Sequence, residues 1–144
     1  MPILRYQDVQ QASTDNIWNT WKNFTPDEVA CKGTGKIVVE TNVLDALQKI
    51  RDALGKPIRI SSFYRAPEYN ETVSSTRRNG PHTTGLAFDI RCFGDDAVKI
   101  LYYGLQLGAS GVGVQQKGEH DRRFIHLDWC KRTSTMPRPW TWSY

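Results

Sequence analysis

Three histidines occur in the 144 residues, His82, His120 and His126. His82 opens the stretch PHTTGLAFDIRC, with Gly85 three residues on and Asp89 seven residues on. His126 lies within FIHLDW, where Phe124, His126 and Asp128 alternate with Ile125, Leu127 and Trp129. Two imidazoles and one carboxylate form a good donor set for zinc, with a fourth position left for water. For this to hold, the strands bearing Asp89 and His126 must be neighbours in one sheet, and the chain must bend at Gly85. Spacing alone leaves the alternative open, since a strand aspartate and a loop histidine commonly serve structure only.

Several elements can position these residues. Thr25, Pro26 and Glu28 in TPDE form a helix start of the capping-box type. Val43, Leu44, Leu47, Ile50 and Leu54 recur at helical spacing, and Gly55 and Pro57 end that helix. PIRISS, residues 57–62, alternates like a strand. A turn and short helix follow Pro67, then an exposed loop over 74–81. Leu86, Phe88, Ile90 and Cys92 alternate as a strand. Asp95 and Asp96 open a helix carrying Ala97, Val98, Leu101, Tyr102 and Leu105, closed by Gly108. GVGV (111–114) and FIHLDW (124–129) read as strands joined by a polar hairpin loop, and the aromatic tail RPWTWSY is expected to pack down. Helices mixed with short hairpins predict an α+β fold with a small antiparallel sheet flanked by helices. Residues 1–23 are expected to be an N-terminal extension packed on a domain spanning 24–144.

Composition bounds the function classes. Apolar residues make up 39% and charged residues 24%, as in ordinary globular domains. No run approaches the roughly 18 apolar residues of a membrane span, so no membrane association is expected. The start MPILRYQDVQQ lacks a basic segment followed by an apolar one, and no signal peptide is read there. The expectation is synthesis in the cytoplasm, with another exit route needed for any extracellular work. The net charge of +4 suits an anionic partner. The basic residues are scattered rather than clustered, which argues against nucleic acid. Cys31, Cys92 and Cys130 are odd in number and form no CxxC, so they read as buried small hydrophobes.

HTTGLAFD resembles the His-x-x-Gly-x-Ala-x-Asp signature of the zinc D-alanyl-D-alanine carboxypeptidase family, whose fold is shared with the hedgehog signalling domain. The resemblance extends through FTPDEVACKGTGKI, RDALGKPIRISSFYRAPEYNETV, GVGV and FIHLDW, in order, over residues 24 to about 142. The entry segment is similar to that of the small phage-type branch. The resemblance implies a hedgehog/DD-peptidase-like fold and zinc held by His82, Asp89 and His126. It implies that Arg65, in SSFYR, polarises the scissile carbonyl or steadies the developing oxyanion. It implies a metallopeptidase of peptidoglycan, as a phage endolysin or a virion-associated protein acting on the cell wall.

Two positions depart from the family pattern. Gly80 stands two residues before the first histidine, where relatives commonly have serine. Arg123 stands three residues before His126, where many relatives carry Glu or Asp, and arginine cannot accept a proton. Glu119, Asp121 and Asp128 are rival candidates for the general base, Asp128 lying roughly 6 to 7 Å along the strand from His126. The departures keep a second expectation alongside the enzyme: a non-catalytic virion or tail component, or binding module, that retains the fold and contacts other virion proteins.

Overall fold

The computed structural model describes residues 2–144. Strand β1 (Ile3–Tyr6) leads into helix α1 (Val9–Ser13) and a 3-10 turn over Asn16–Thr20. Helix α2 (Pro26–Val29), strand β2 (Ile37–Glu40) and helix α3 (Thr41–Leu54) follow. Then come β3 (Arg59–Ser62), α4 (Pro67–Val73), a 3-10 turn over Pro81–Thr84, β4 (Ala87–Arg91) and α5 (Gly94–Gln106). The chain finishes with β5 (Gly111–Gln115), a 3-10 turn over His120–Arg122, β6 (Phe124–Asp128) and β7 (Trp140–Ser143). The α+β fold class read from the sequence is the one observed, with a two-stranded sheet β1-β2 and a five-stranded sheet in the order β3-β4-β6-β5-β7. One pairing differs: β7 joins β5 in parallel, while the other neighbours run antiparallel.

Local sequence explains the main elements. Val43, Leu44, Leu47 and Ile50 form the fully buried face of α3, and Gly55 ends it at φ 74°, the left-handed conformation that glycine tolerates. The Thr25 N–H donates to Glu28 Oε1 at 3.0 Å, fixing the start of α2. Helix α5 buries Ala97, Ile100 and Gly104 and leaves Val98, Tyr102 and Leu105 exposed, so its apolar residues do not all face the core. The reason is close packing: a Cβ at Gly104 would sit 2.6 Å from Leu127 Cδ1, and the helix settles on β6 through its smallest side chain.

The core is continuous. Ala12, Trp18 and Trp21 from the N-terminal segment pack in one cluster with Val39, Leu47, Phe88, Ile125 and Leu127. The sheet face opposite this core carries the polar residues of β4 and β6. There Asp89 stands directly across from His126 in the antiparallel register, and His126 faces Gly113 on its other side. The aromatic tail docks only in part. Trp142 packs against His126, whereas Trp140 and Tyr144 remain about half exposed.

Candidate metal centre

His82 enters from the 3-10 turn that precedes β4. The Arg65 N–H bonds the His82 carbonyl at 2.9 Å, and His82 Nδ1 donates to the Phe63 carbonyl at 2.7 Å. Gly85 then turns the chain at φ 78°, pressed so closely on β2 that a Cβ would lie 2.6 Å from the Val38 oxygen. The expected bend is therefore at the predicted glycine. It delivers His82 and Asp89 to the same side of the sheet.

His82 Nε2 lies 3.3 Å from Asp89 Oδ1, and His126 Nδ1 lies 2.9 Å from the same oxygen. The donor atoms of the three residues all fall within 4.8 Å of one another. Ligands about 2.0 Å from a tetrahedral zinc stand roughly 3.3 Å apart, so the cluster has the dimensions of a ligand set around one ion. The proton positions also fit. The Phe63 carbonyl can only accept, which puts a proton on His82 Nδ1 and leaves Nε2 as the nitrogen facing Asp89. His126 Nε2 lies 2.8 Å from Asp128 Oδ2. A neutral His126 that donates there presents its Nδ1 lone pair to the cluster.

The electrostatics follow from burial and pairing. Burial pushes the Asp89 carboxyl upward, but the charge of His82 and hydrogen bonds from His126 and His82 outweigh it and hold Asp89 well below the ordinary carboxylate range. For His126, burial favours the neutral ring, and hydrogen bonds to Asp128 and Asp89 overcome it and raise the pKa. Burial pushes the Cys92 thiol up to about 12. Burial, with the Asp128 charge beside it, does the same to Cys130. Cys31, Cys92 and Cys130 are free and buried, as their spacing suggested.

A cleft of about 900 Å³ opens over the cluster, with Arg65, Asn79, Gly80, Trp140, Trp142 and Tyr144 in its walls. Arg65 donates from Nε to Ser62 Oγ at 3.0 Å and from Nη1 to Asn70 Oδ1 at 3.3 Å, and its Nη2 stands 4.0 Å from Asp89 Oδ2. Asn70 is fully buried and donates to Thr76 Oγ1 at 2.9 Å and to the Arg77 carbonyl. It thereby ties Arg65 to the loop forming one wall of the cleft. Nothing in the sequence pattern marks Asn70, because a polar residue inside a short helix reads as solvent-facing.

The three acids considered as a base do not meet at the cleft. Asp128 is fully buried behind His126, with both oxygens engaged by protein donors. Glu119 and Asp121 are exposed on the turn before β6 and do not line the cleft. Arg123 folds back, its Nε and Nη2 donating to the Gly118 carbonyl at 3.0 and 2.8 Å. His120 stacks on Phe93 with ring centroids 4.3 Å apart. Among the described residues lining the cleft, Asp89 has the only side-chain carboxylate.

The fold and this cluster define a class: α+β proteins that carry two histidines and an aspartate on one face of a small sheet, beneath an open cleft. Residues 22–128 match the model of the Peptidase M15 family, and the chain belongs to that family. No curated protein matches the chain. Peptidases of this family are zinc-dependent, and the buried His82, Asp89 and His126 have the donors and spacing to hold the ion.

Proposed function

We propose that the protein is a zinc-dependent peptidase that cleaves peptide bonds of bacterial peptidoglycan, as a phage endolysin or a virion-associated wall-degrading protein. The observation that carries this reading is the convergence of two imidazole nitrogens, His82 Nε2 and His126 Nδ1, on one Asp89 oxygen. His82, Asp89 and His126 would hold zinc, which supplies a Lewis acid and lowers the pKa of water. Arg65 is fixed by Ser62 and Asn70 beside the cluster, where a guanidinium stabilises negative charge as it develops on a peptide oxygen. Trp140, Trp142 and Tyr144 give the cleft an aromatic wall suited to holding an extended peptide. The net charge of +4 suits an anionic cell wall. In this reading the protein is made in the host cytoplasm and reaches the wall after release or within a particle.

One observation favours a second reading, a virion or tail component that keeps the fold without turnover. No side-chain carboxylate other than that of Asp89 lines the cleft among the described residues. Glu119 and Asp121 reach it only if the loop that Arg123 clips to Gly118 moves. The test measures zinc content of the purified protein beside turbidity loss of purified cell walls. The enzyme reading expects about one zinc per chain, with lysis abolished by chelator and by His126→Ala. Zinc without lysis of any wall type supports the second reading, and the absence of zinc binding overturns the metal site and the enzyme reading with it.

A further inference from the structure

The strongest unexplained feature near the cluster lies outside the family-matched segment, in the tail after Asp128. Arg138 is 7% exposed and Asp128 is 0% exposed. Arg138 Nε donates to Asp128 Oδ1 at 2.9 Å, and Arg138 Nη2 donates to Oδ2 at 2.8 Å. This is the bidentate fork that guanidinium makes with carboxylate. The Cys130 N–H adds a third bond to Oδ1 at 3.2 Å. Asp128 Oδ2 also receives His126 Nε2 at 2.8 Å. The Arg138 guanidinium stacks over Trp142, 5.3 Å from the ring centroid, and Trp142 lies 5.0 Å from the His126 ring. The sequence clears space for this arrangement. A Cβ at Gly111 would collide with the Asp128 carboxylate, and one at Gly113 would sit 2.6 Å from the Trp142 indole nitrogen.

We propose that Arg138 is a positioning residue for the metal centre, acting through Asp128 on His126. A neutral His126 offers Nδ1 to a cation only when Nε2 carries the proton, and Asp128 is the acceptor that keeps it there. A carboxylate buried without a countercharge is strongly disfavoured. Arg138 supplies that countercharge through the fork and holds Asp128 in place as the acceptor facing His126 Nε2. The fork also fixes the carboxylate plane, and with it the direction of the imidazole. This assignment rests on the reading of His82, Asp89 and His126 as zinc ligands.

The experiment uses the full chain and zinc competed against a chromophoric chelator, with cobalt absorption as a second readout and circular dichroism as the folding control. Arg138→Met is expected to weaken zinc binding by about 10- to 100-fold and to change the cobalt spectrum. Arg138→Lys, which keeps charge but lacks the fork, is expected to fall between Arg138→Met and the unaltered protein. The double variant Arg138→Met with Asp128→Asn is expected to lose no more than Asp128→Asn alone, since Arg138 acts through Asp128. Folded Arg138→Met with unaltered affinity overturns the proposal, as does an additive double variant. A merely structural role would lower the melting temperature and leave the affinity and cobalt spectrum of the folded protein unchanged. If Arg138→Met does not fold, Arg138→Lys decides: weakened zinc binding supports the proposal, and unaltered affinity and spectrum overturn it. Failure of the unaltered protein to bind zinc overturns the metal reading itself, and this assignment with it.

Discussion

His126 sits between two carboxylates, Asp89 at 2.9 Å and Asp128 at 2.8 Å, and this sets how the metal-free protein responds to pH. Asp89 and Asp128 are held below their ordinary value of 3.8. Their contribution to stability is complete above that pH and is lost as pH falls towards their folded values. His126 is raised above 6.5, so its contribution is complete below pH 6.5 and is lost as pH rises through its folded value. Stability of the chelator-treated protein, measured by urea midpoints, is therefore expected to peak between about pH 4 and 6.5. Asp128→Asn should flatten both limbs, and an unchanged profile in that variant would contradict the assignment. Of these residues, His82, Asp89 and His126 stood out in the sequence as a possible donor set, but spacing left their meeting conditional on neighbouring strands, and the resemblance of HTTGLAFD carried the assignment. The role of Asp128 was not legible. Spacing placed it on the His126 face, but only the fold brings Arg138 to its far side, and nothing in PRPW announces a buried partner.

Elements with strong periodicity or clear punctuation were legible. Helix α3, strands β4 and β6 and the helix after Pro67 lie where alternation, helical spacing, Gly55 and the prolines put them. Shorter pieces were not. Strand β2 has only Ile37 and Val39 facing the core, too brief a signal to stand out, and its partner β1 is half exposed. Strand β7 carries aromatics at alternate positions, yet its parallel pairing depends on a long return of the chain to β5. Gly85 shows how one element end can control the site. Its positive φ and its contact with Val38 both exclude a side chain. Gly85→Ala is expected to destabilise the fold by at least about 1 kcal/mol, and to weaken zinc binding because His82 and Asp89 flank the bend. A thermal melt and a zinc titration check this. An unchanged melting temperature would show that the turn relaxes freely.

At the scale of the whole molecule, a single core joins the N-terminal segment to the main sheet, and the candidate site lies on the sheet face turned away from that core. Among the described residues no helix is long and apolar enough to cross a membrane. The overall α+β architecture was readable from the order of helices and hairpins. The relation of the tail to the site was not, because it joins residues remote in sequence. That relation has a thermodynamic side. Strand β7 is an edge strand, attached through its ladder with β5 and the bond from the Trp140 N–H to the Ser110 carbonyl. Linkage is reciprocal: whatever factor the docked tail adds to zinc affinity, zinc returns to the docking of the tail. Amide hydrogen exchange in residues 140–143 should therefore slow when zinc is added, and Arg138→Met should abolish the slowing. The last strand of the sheet would then serve as a built-in reporter of occupancy, readable without substrate or turnover.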